Sequence, residues 1–276
     1  MSELIYKNRE YIFEEKKIGE VLYLSYPILE KTGIVKHGFS TRIGGVSEGI
    51  YSSMNLSFSR GDDENAVREN YRRMAEALGV KEEMFVKSVQ THTTNVHKVT
   101  LENMKDALQD VDGLITDVPD ICLVTSYADC VPLYFLDPVH RAIGLSHSGW
   151  RGTVGKIGRE TLQKMKEEYG TDTKDVMVAI GPSICQECYE VSEDVINQFK
   201  EAFESKYWDD LFYQKENKKY QLNLWKANEI IVLEAGVKRE NIAVTNVCTS
   251  CNSDMLYSHR ASKGQRGGLA AFMALK

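Results

Sequence analysis

The sequence predicts an α+β fold: one domain of mixed β-sheets flanked by helices. Three observations lead there. Eight short apolar runs have strand character, while only four stretches carry a helical period. Several strand runs follow one another with no helix between, which argues against a doubly wound parallel sheet. No Pro- or Ser-rich linker, low-complexity tract or fixed-period repeat divides the 276 residues, so residues 1–276 are expected to form a single domain.

The strand runs are, in order, GIVKHGF (33–39), MFVKSVQ (84–90), ICLVTSY (121–127), VPLYFL (131–136), RAIGLSH (141–147), VMVAIGP (176–182), IAVTN (242–246) and LAAFMAL (269–275). Helical spacing covers 64–78, 153–169, 192–203 and 223–235. Gly79 and Gly236 stand where C-terminal caps belong. The stretch 204–221, ESKYWDDLFYQKENKKYQ, is polar with interspersed aromatics and is expected to be an exposed insertion.

Composition narrows the function. The content is 42% hydrophobic and 9% aromatic, enough for a sizeable core. With a net charge of −6 and basic residues spread along the chain, a nucleic acid is a poor partner, since phosphate backbones demand a basic stripe. The first residues, MSELIYKNREYIFEEKK, are too charged for a signal peptide, and no apolar run is long enough to span a membrane. The expectation is a cytoplasmic protein whose six cysteines are buried thiols, metal ligands or catalytic groups rather than disulfides.

Three polar residues sit where core strands end: His92 in VQTHTTNV, Cys130 in YADCVPLYF and His147 in LSHSGW. The LDPVHR turn joins the strand after Cys130 to the strand that ends at His147. Antiparallel pairing of those two strands would place Cys130 and His147 at neighbouring ends of one sheet. Two imidazoles and a thiolate suit zinc, and three protein ligands leave a fourth position open for water or substrate. Spacing alone leaves the alternative that the three are unrelated, because no short ligand motif such as HExxH is present. His97 would face the opposite side of a strand from His92. His140 reads as a solvated turn residue, and His37 as either a site residue or a satisfied core histidine.

Two segments are candidate anion holders. The Gly- and Ser-rich loop 40–58, STRIGGVSEGIYSSMNLSF, carries Arg42 and Asn55 and is either a backbone-amide cradle or an ordinary surface loop. In GWRGTVG, Arg151 and the free amides of the following helix attract anions, while Trp150 either stacks on a flat ligand or anchors the core. CQEC and CTSC place Cys185, Cys188, Cys248 and Cys251 in a CxxC…CxxC pattern. That pattern is a zinc signal in a cytoplasmic protein, but buried thiols fit these contexts as well.

Taken together, HGFSTRIGGVSEGIYSSMNLSF, VQTH, DVDGLIT, ADCVPLYFLDP, GLSHSGWRGTVG, AIGPSICQECYEV, VCTSCNSDMLYSHR and GQRGGLAAFMAL resemble, in order, the YfiH-like family over about residues 34–275. That family has been called polyphenol oxidase or laccase-like, peptidoglycan editing factor and purine nucleoside phosphorylase. The resemblance implies a YfiH-like fold and a zinc-dependent enzyme held by His92, Cys130 and His147. It would phosphorolyse adenosine, inosine, guanosine and methylthioadenosine and deaminate adenosine, so its partners would be purine nucleosides and phosphate.

In that reading Cys130, Arg42, Arg151 and Asp129 are the catalytic candidates, and Asn55, Gln90, Asp112 and Trp150 the substrate-binding ones. Asp129 and Asp112 are also possible proton carriers. The chain departs from the family pattern at Thr93, Ser148 and His259, which bears on substrate preference more than on metal binding. Copper could occupy the site adventitiously, but six histidines with no HxH pair do not make a multicopper centre. The alternatives are a Cys130–His147 hydrolase editing peptidoglycan precursors and a non-catalytic zinc protein.

Overall fold

The computed structural model describes residues 3–276. Its strands are β1 Glu14–Ile18, β2 Val21–Ser25, β3 Val35–Ser40, β4 Phe85–Val89, β5 Val96–Lys98, β6 Leu108–Gln109, β7 Gly113–Thr116 and β8 Cys122–Tyr127. They continue with β9 Val131–Asp137, β10 Ala142–Ser148, β11 Met177–Ile180, β12 Glu190–Val191, β13 Phe212–Gln214, β14 Tyr220–Leu222, β15 Ile242–Val244 and β16 Leu269–Leu275. The helices are α1 Pro27–Glu30, α2 Glu64–Leu78, α3 Trp150–Val154, α4 Ile157–Tyr169, α5 Glu193–Ala202, α6 Trp208–Leu211 and α7 Leu224–Glu234.

Two large sheets form the α+β core. One has the order β1-β2-β3-β16-β8-β4-β6, the other β15-β11-β9-β10-β7-β5. Both are mixed: β4 runs parallel to β8 and β6, β11 to β15 and β5 to β7, while the central pairs are antiparallel. The sheets bury one face against each other, with Phe39, Leu123 and Met273 meeting Leu114, Tyr134 and Leu145. The outer face of the first sheet is covered by α2, through Val67, Tyr71 and Met74. The outer face of the second is covered by α4, α5 and α7.

This layering explains why LAAFMAL and VPLYFL are continuously apolar: each strand is buried on both faces. In β16, Leu269, Ala271 and Met273 point between the sheets, whereas Ala270, Phe272 and Ala274 point at α2.

All eight expected strand runs are strands, and α2 has the expected bounds. Asp63 caps α2 by accepting from the Asn65 N–H, and Gly79 ends it in the left-handed region at φ 64°. The helix expected over 153–169 is broken. It splits into α3 and α4 at Gly155 and Lys156, the latter at φ 62°. The break lets Gly155 pass close to the loop after β4, where a Cβ would lie 2.5 Å from Thr94 Cγ2. The stretch 204–221 is only in part the exposed insertion expected of it. It supplies α6 and two strands of a three-stranded sheet, β12-β14-β13, and buries Leu211, Phe212 and Tyr220. Its aromatics have a hydrophobic face to cover. No described helix is long and apolar enough to cross a membrane.

Candidate active site

Antiparallel pairing sets His147 opposite Pro132 at one end of β9 and β10, with Cys130 just before β9. His92 arrives from the loop after β4. The donor atoms of His92, Cys130 and His147 all lie within 4.8 Å of one another. Cys130 Sγ stands 3.9 Å from His92 Nε2, and the two imidazole rings are 4.9 Å apart and nearly perpendicular. Zinc bonds of about 2.0–2.3 Å require donor separations well within that span, so the sulfur–nitrogen–nitrogen set fits one such ion. The group has three donors, with His147 buried, Cys130 half-buried and His92 exposed. One side is therefore open to solvent.

Asp112 organises the set. Its carboxylate accepts from His147 Nδ1 at 2.8 Å, which leaves Nε2 of that ring for Cys130 or a metal. The same carboxylate accepts from the backbone N–H groups of Thr91, His92 and Thr93 and from the Thr93 hydroxyl. These bonds hold His92 in the left-handed region, at φ 66°. Thr93 thus adds one side-chain donor to Asp112. Ser148 bonds to Thr153 and Asn228 in the interior.

Electrostatics follow from the geometry. Burial opposes a charged Cys130, but His147 and His92 outweigh it and bring the thiol down to about 6. Burial likewise opposes the His147 imidazolium, yet Cys130 and Asp112 hold it up at about 9. Burial alone would raise Asp112, and its hydrogen bonds from His147, Thr93 and Thr91 reverse that, to about 2.

The remaining expected residues divide. Trp150 and Tyr189 line a cleft of about 240 Å³ with Arg260 and Lys219. The exposed Arg151 lies over the Trp150 ring, 4.3 Å from its centroid. Asp129 is at φ 87°, and its carboxylate accepts from Thr249 Oγ1 at 2.6 Å and from the Arg260 N–H at 2.7 Å. Four residues are placed otherwise than expected. Asp112 is fully buried and acts on the histidines rather than on a ligand. Asn55 is also fully buried, tying Ser57, Asp62 and Gly268 together. The Gln90 amide pairs with both backbone groups of Ser126. Arg42 donates to the carbonyls of Ser52 and Ser253 and lies on the Tyr257 ring, clasping its loop.

Sequence reasoning missed a second ring of groups. Burial and the charge of Arg60 press the Arg266 guanidinium down to about 10, so it stays charged at neutral pH, while Asp129 and Cys130 act on it favourably. Its buried Nε has no protein partner. Burial and the charges of Arg266, Arg60 and Arg260 lower His259. Burial and Cys130 raise the Tyr189 phenol, against Arg260 and Arg151. Arginines from three distant segments thus add positive charge around Arg266, His259 and Tyr189, and no local motif announces them. A larger depression of about 610 Å³ beside the end of α4, lined by Arg159, Gly170 and Lys174, contains none of these groups.

The family model described as multi-copper polyphenol oxidoreductase laccase matches residues 36–276. The purine nucleoside phosphorylase YlmD of Bacillus subtilis is 34% identical, over 87% of this chain and 88% of its own length. A purine nucleoside phosphorylase of Bacteroides thetaiotaomicron is 37% identical, over 86% of this chain and 90% of its own. The crystal structure of YlmD from Geobacillus stearothermophilus superposes with a TM-score of 0.88 at 33% identity, covering 96% of this chain and 99% of that one.

Proposed function

We propose that this chain, which belongs to the multi-copper polyphenol oxidoreductase laccase family, is a zinc-dependent purine nucleoside phosphorylase. Its substrates would be adenosine, inosine, guanosine and methylthioadenosine, and it would also deaminate adenosine. The observation that carries the reading is the open three-donor group His92–Cys130–His147 with arginines beside it. The relatives named purine nucleoside phosphorylase support the substrate class.

In phosphorolysis a phosphate oxygen bonds to the ribose anomeric carbon as the glycosidic bond breaks. The bond's electron pair leaves with the purine, which then takes a proton. Arg151 and Arg266 would hold the phosphate, and Arg266 has an unpaired buried N–H for it. Tyr189 and Trp150 offer flat walls for the base. Asp129 is the acidic group next to Cys130 and the proton carrier of this scheme. Zinc held by His92, Cys130 and His147 would supply Lewis acidity and a lowered water pKa, the second of which suits deamination.

A multicopper centre lacks ligands. Among the described residues His37 is buried and accepts the Tyr26 N–H, His97 contacts Asn103 and His140 pairs with Asp137.

The test supplies adenosine with and without phosphate to protein of measured metal content. Adenine and ribose 1-phosphate are expected only with phosphate, and inosine reports deamination. Adenine release that ignores phosphate, or no release of base or inosine, overturns the reading.

A second reading has its own observation: Cys130, His147 and Asp112 also form a thiol–imidazole–carboxylate series, the arrangement of a cysteine hydrolase acting on peptidoglycan precursors. Alkylation separates the two. A metal-bound thiolate resists iodoacetamide; after chelation, Cys130 should react with a pH midpoint near 6, fast above it and slow below. Full nucleoside activity in chelated protein, abolished by alkylating Cys130, would favour the dyad and end the zinc reading.

A further inference from the structure

Away from the three-donor group, four cysteines converge that the proposed chemistry does not use. Cys185 precedes and Cys188 ends the single 3-10 turn Gln186–Cys188, and Cys248 and Cys251 flank the turn that follows β15. An isolated parallel bridge between Ser183 and Cys248, with the Thr249 N–H donating to the Ser183 carbonyl, sets the two turns side by side.

The four Sγ atoms all lie within 4.8 Å of one another, and those of Cys188 and Cys251 are 3.5 Å apart. A zinc ion with bonds of about 2.3 Å places tetrahedral sulfurs roughly 3.8 Å from each other. All four cysteines are free thiols. Cys248 Sγ receives the N–H groups of Cys185 at 3.3 Å and Cys251 at 3.4 Å, as a thiolate ligand does in its outer shell. Ile184, Tyr189 and Trp225 pack around the cluster, in which Cys185 and Cys248 are buried and Cys188 and Cys251 half-buried. Lys7, paired with Glu187, lies close enough for the charges of Cys185 and Cys251 to act on its ammonium, so it offsets part of the negative charge of four thiolates.

We propose that Cys185, Cys188, Cys248 and Cys251 form a second, closed zinc site whose role is structural. With four protein ligands it has no open position for a substrate. It clamps the turns that hold the active-site strand end: the Ile184 N–H donates to the Asp129 carbonyl, Thr249 Oγ1 to the Asp129 carboxylate and Arg260 to the Cys188 carbonyl. Asp129 is bonded directly to Cys130. The inference stands independently of the reaction assigned to the first site.

The experiment measures zinc in protein purified under reducing conditions. About two ions per chain are expected, falling by one in Cys188→Ser/Cys251→Ser. Should that variant fail to fold, His92→Ala/His147→Ala keeps the question open to test, since its remaining zinc should show an X-ray absorption spectrum of four sulfurs at about 2.3 Å. Chelation of that variant should also lower its thermal midpoint by several degrees. The proposal is overturned if His92→Ala/His147→Ala binds no zinc. It is equally overturned by iron in place of zinc, by a nitrogen-containing shell, or by a Cys188–Cys251 disulfide in reduced preparations.

Discussion

Asp112 decides the geometry of the site from a fully buried position. One carboxylate fixes the tautomer of His147 and the backbone of His92, so two imidazoles from separate segments depend on one residue. Changing it to Asn keeps the shape and replaces one acceptor oxygen by a donor that faces N–H groups. Asp112→Asn should therefore weaken zinc binding about 10- to 100-fold with a comparable loss of activity, as loss of an outer-shell partner does. Competition with a metal indicator measures the first effect; the far-UV spectrum should not change. Undiminished zinc affinity would show that Asp112 does not orient the ligands.

At the scale of elements, the ends of β9 and β10 and the start of α3 meet the loop after β4 through glycines. Gly149 caps α3 with φ −74°, a conformation any residue adopts. Its role is space, because a Cβ there would lie 2.7 Å from His92 Cδ2 and 3.1 Å from Cys130 Sγ. Gly149→Ala should leave the secondary structure intact while displacing His92, at an overpacking cost of about 1–3 kcal/mol. A lower zinc content with a modest fall in thermal midpoint is the expected result. Normal zinc content and activity in this variant would mean that the loop has room the structure does not show. The same crowding recurs at the break between α3 and α4, where Gly155 lies beside Thr94.

For the whole molecule, β16 is the strand on which the layers converge. It pairs with β3 on one side and β8 on the other, and its two faces serve the space between the sheets and the α2 layer. Phe272 is fully buried and packs on Phe85 and Tyr71, with ring centroids 5.4 and 6.3 Å away. Phe272→Ala should cost about 3–5 kcal/mol, read as a lower denaturation midpoint at unchanged slope. A loss under 1 kcal/mol would show that the α2 layer collapses onto the gap.

Local periodicity is a property of neighbouring residues, and what it encodes was legible in the sequence. The doubly buried runs VPLYFL and LAAFMAL, the Gly79 cap of α2 and the antiparallel turn joining β9 to β10 all stand in the structure as the sequence predicts. Cys130 and His147 were legible as neighbours because one hairpin joins them. The approach of His92, 38 residues before Cys130, was suggested by its strand-end position and implied by the resemblance, but no spacing rule carries a loop from one sheet to the end of another. Tertiary structure alone decided that Asp112 holds the two histidines and that Arg42, Asn55 and Gln90 are engaged with the backbone. It also decided that Arg266 comes under the charge of Cys130 and that two CxxC turns close on each other. Those outcomes depend on which distant segments share a burial site. Packing of the two sheets settles that, and no stretch of the chain records it alone.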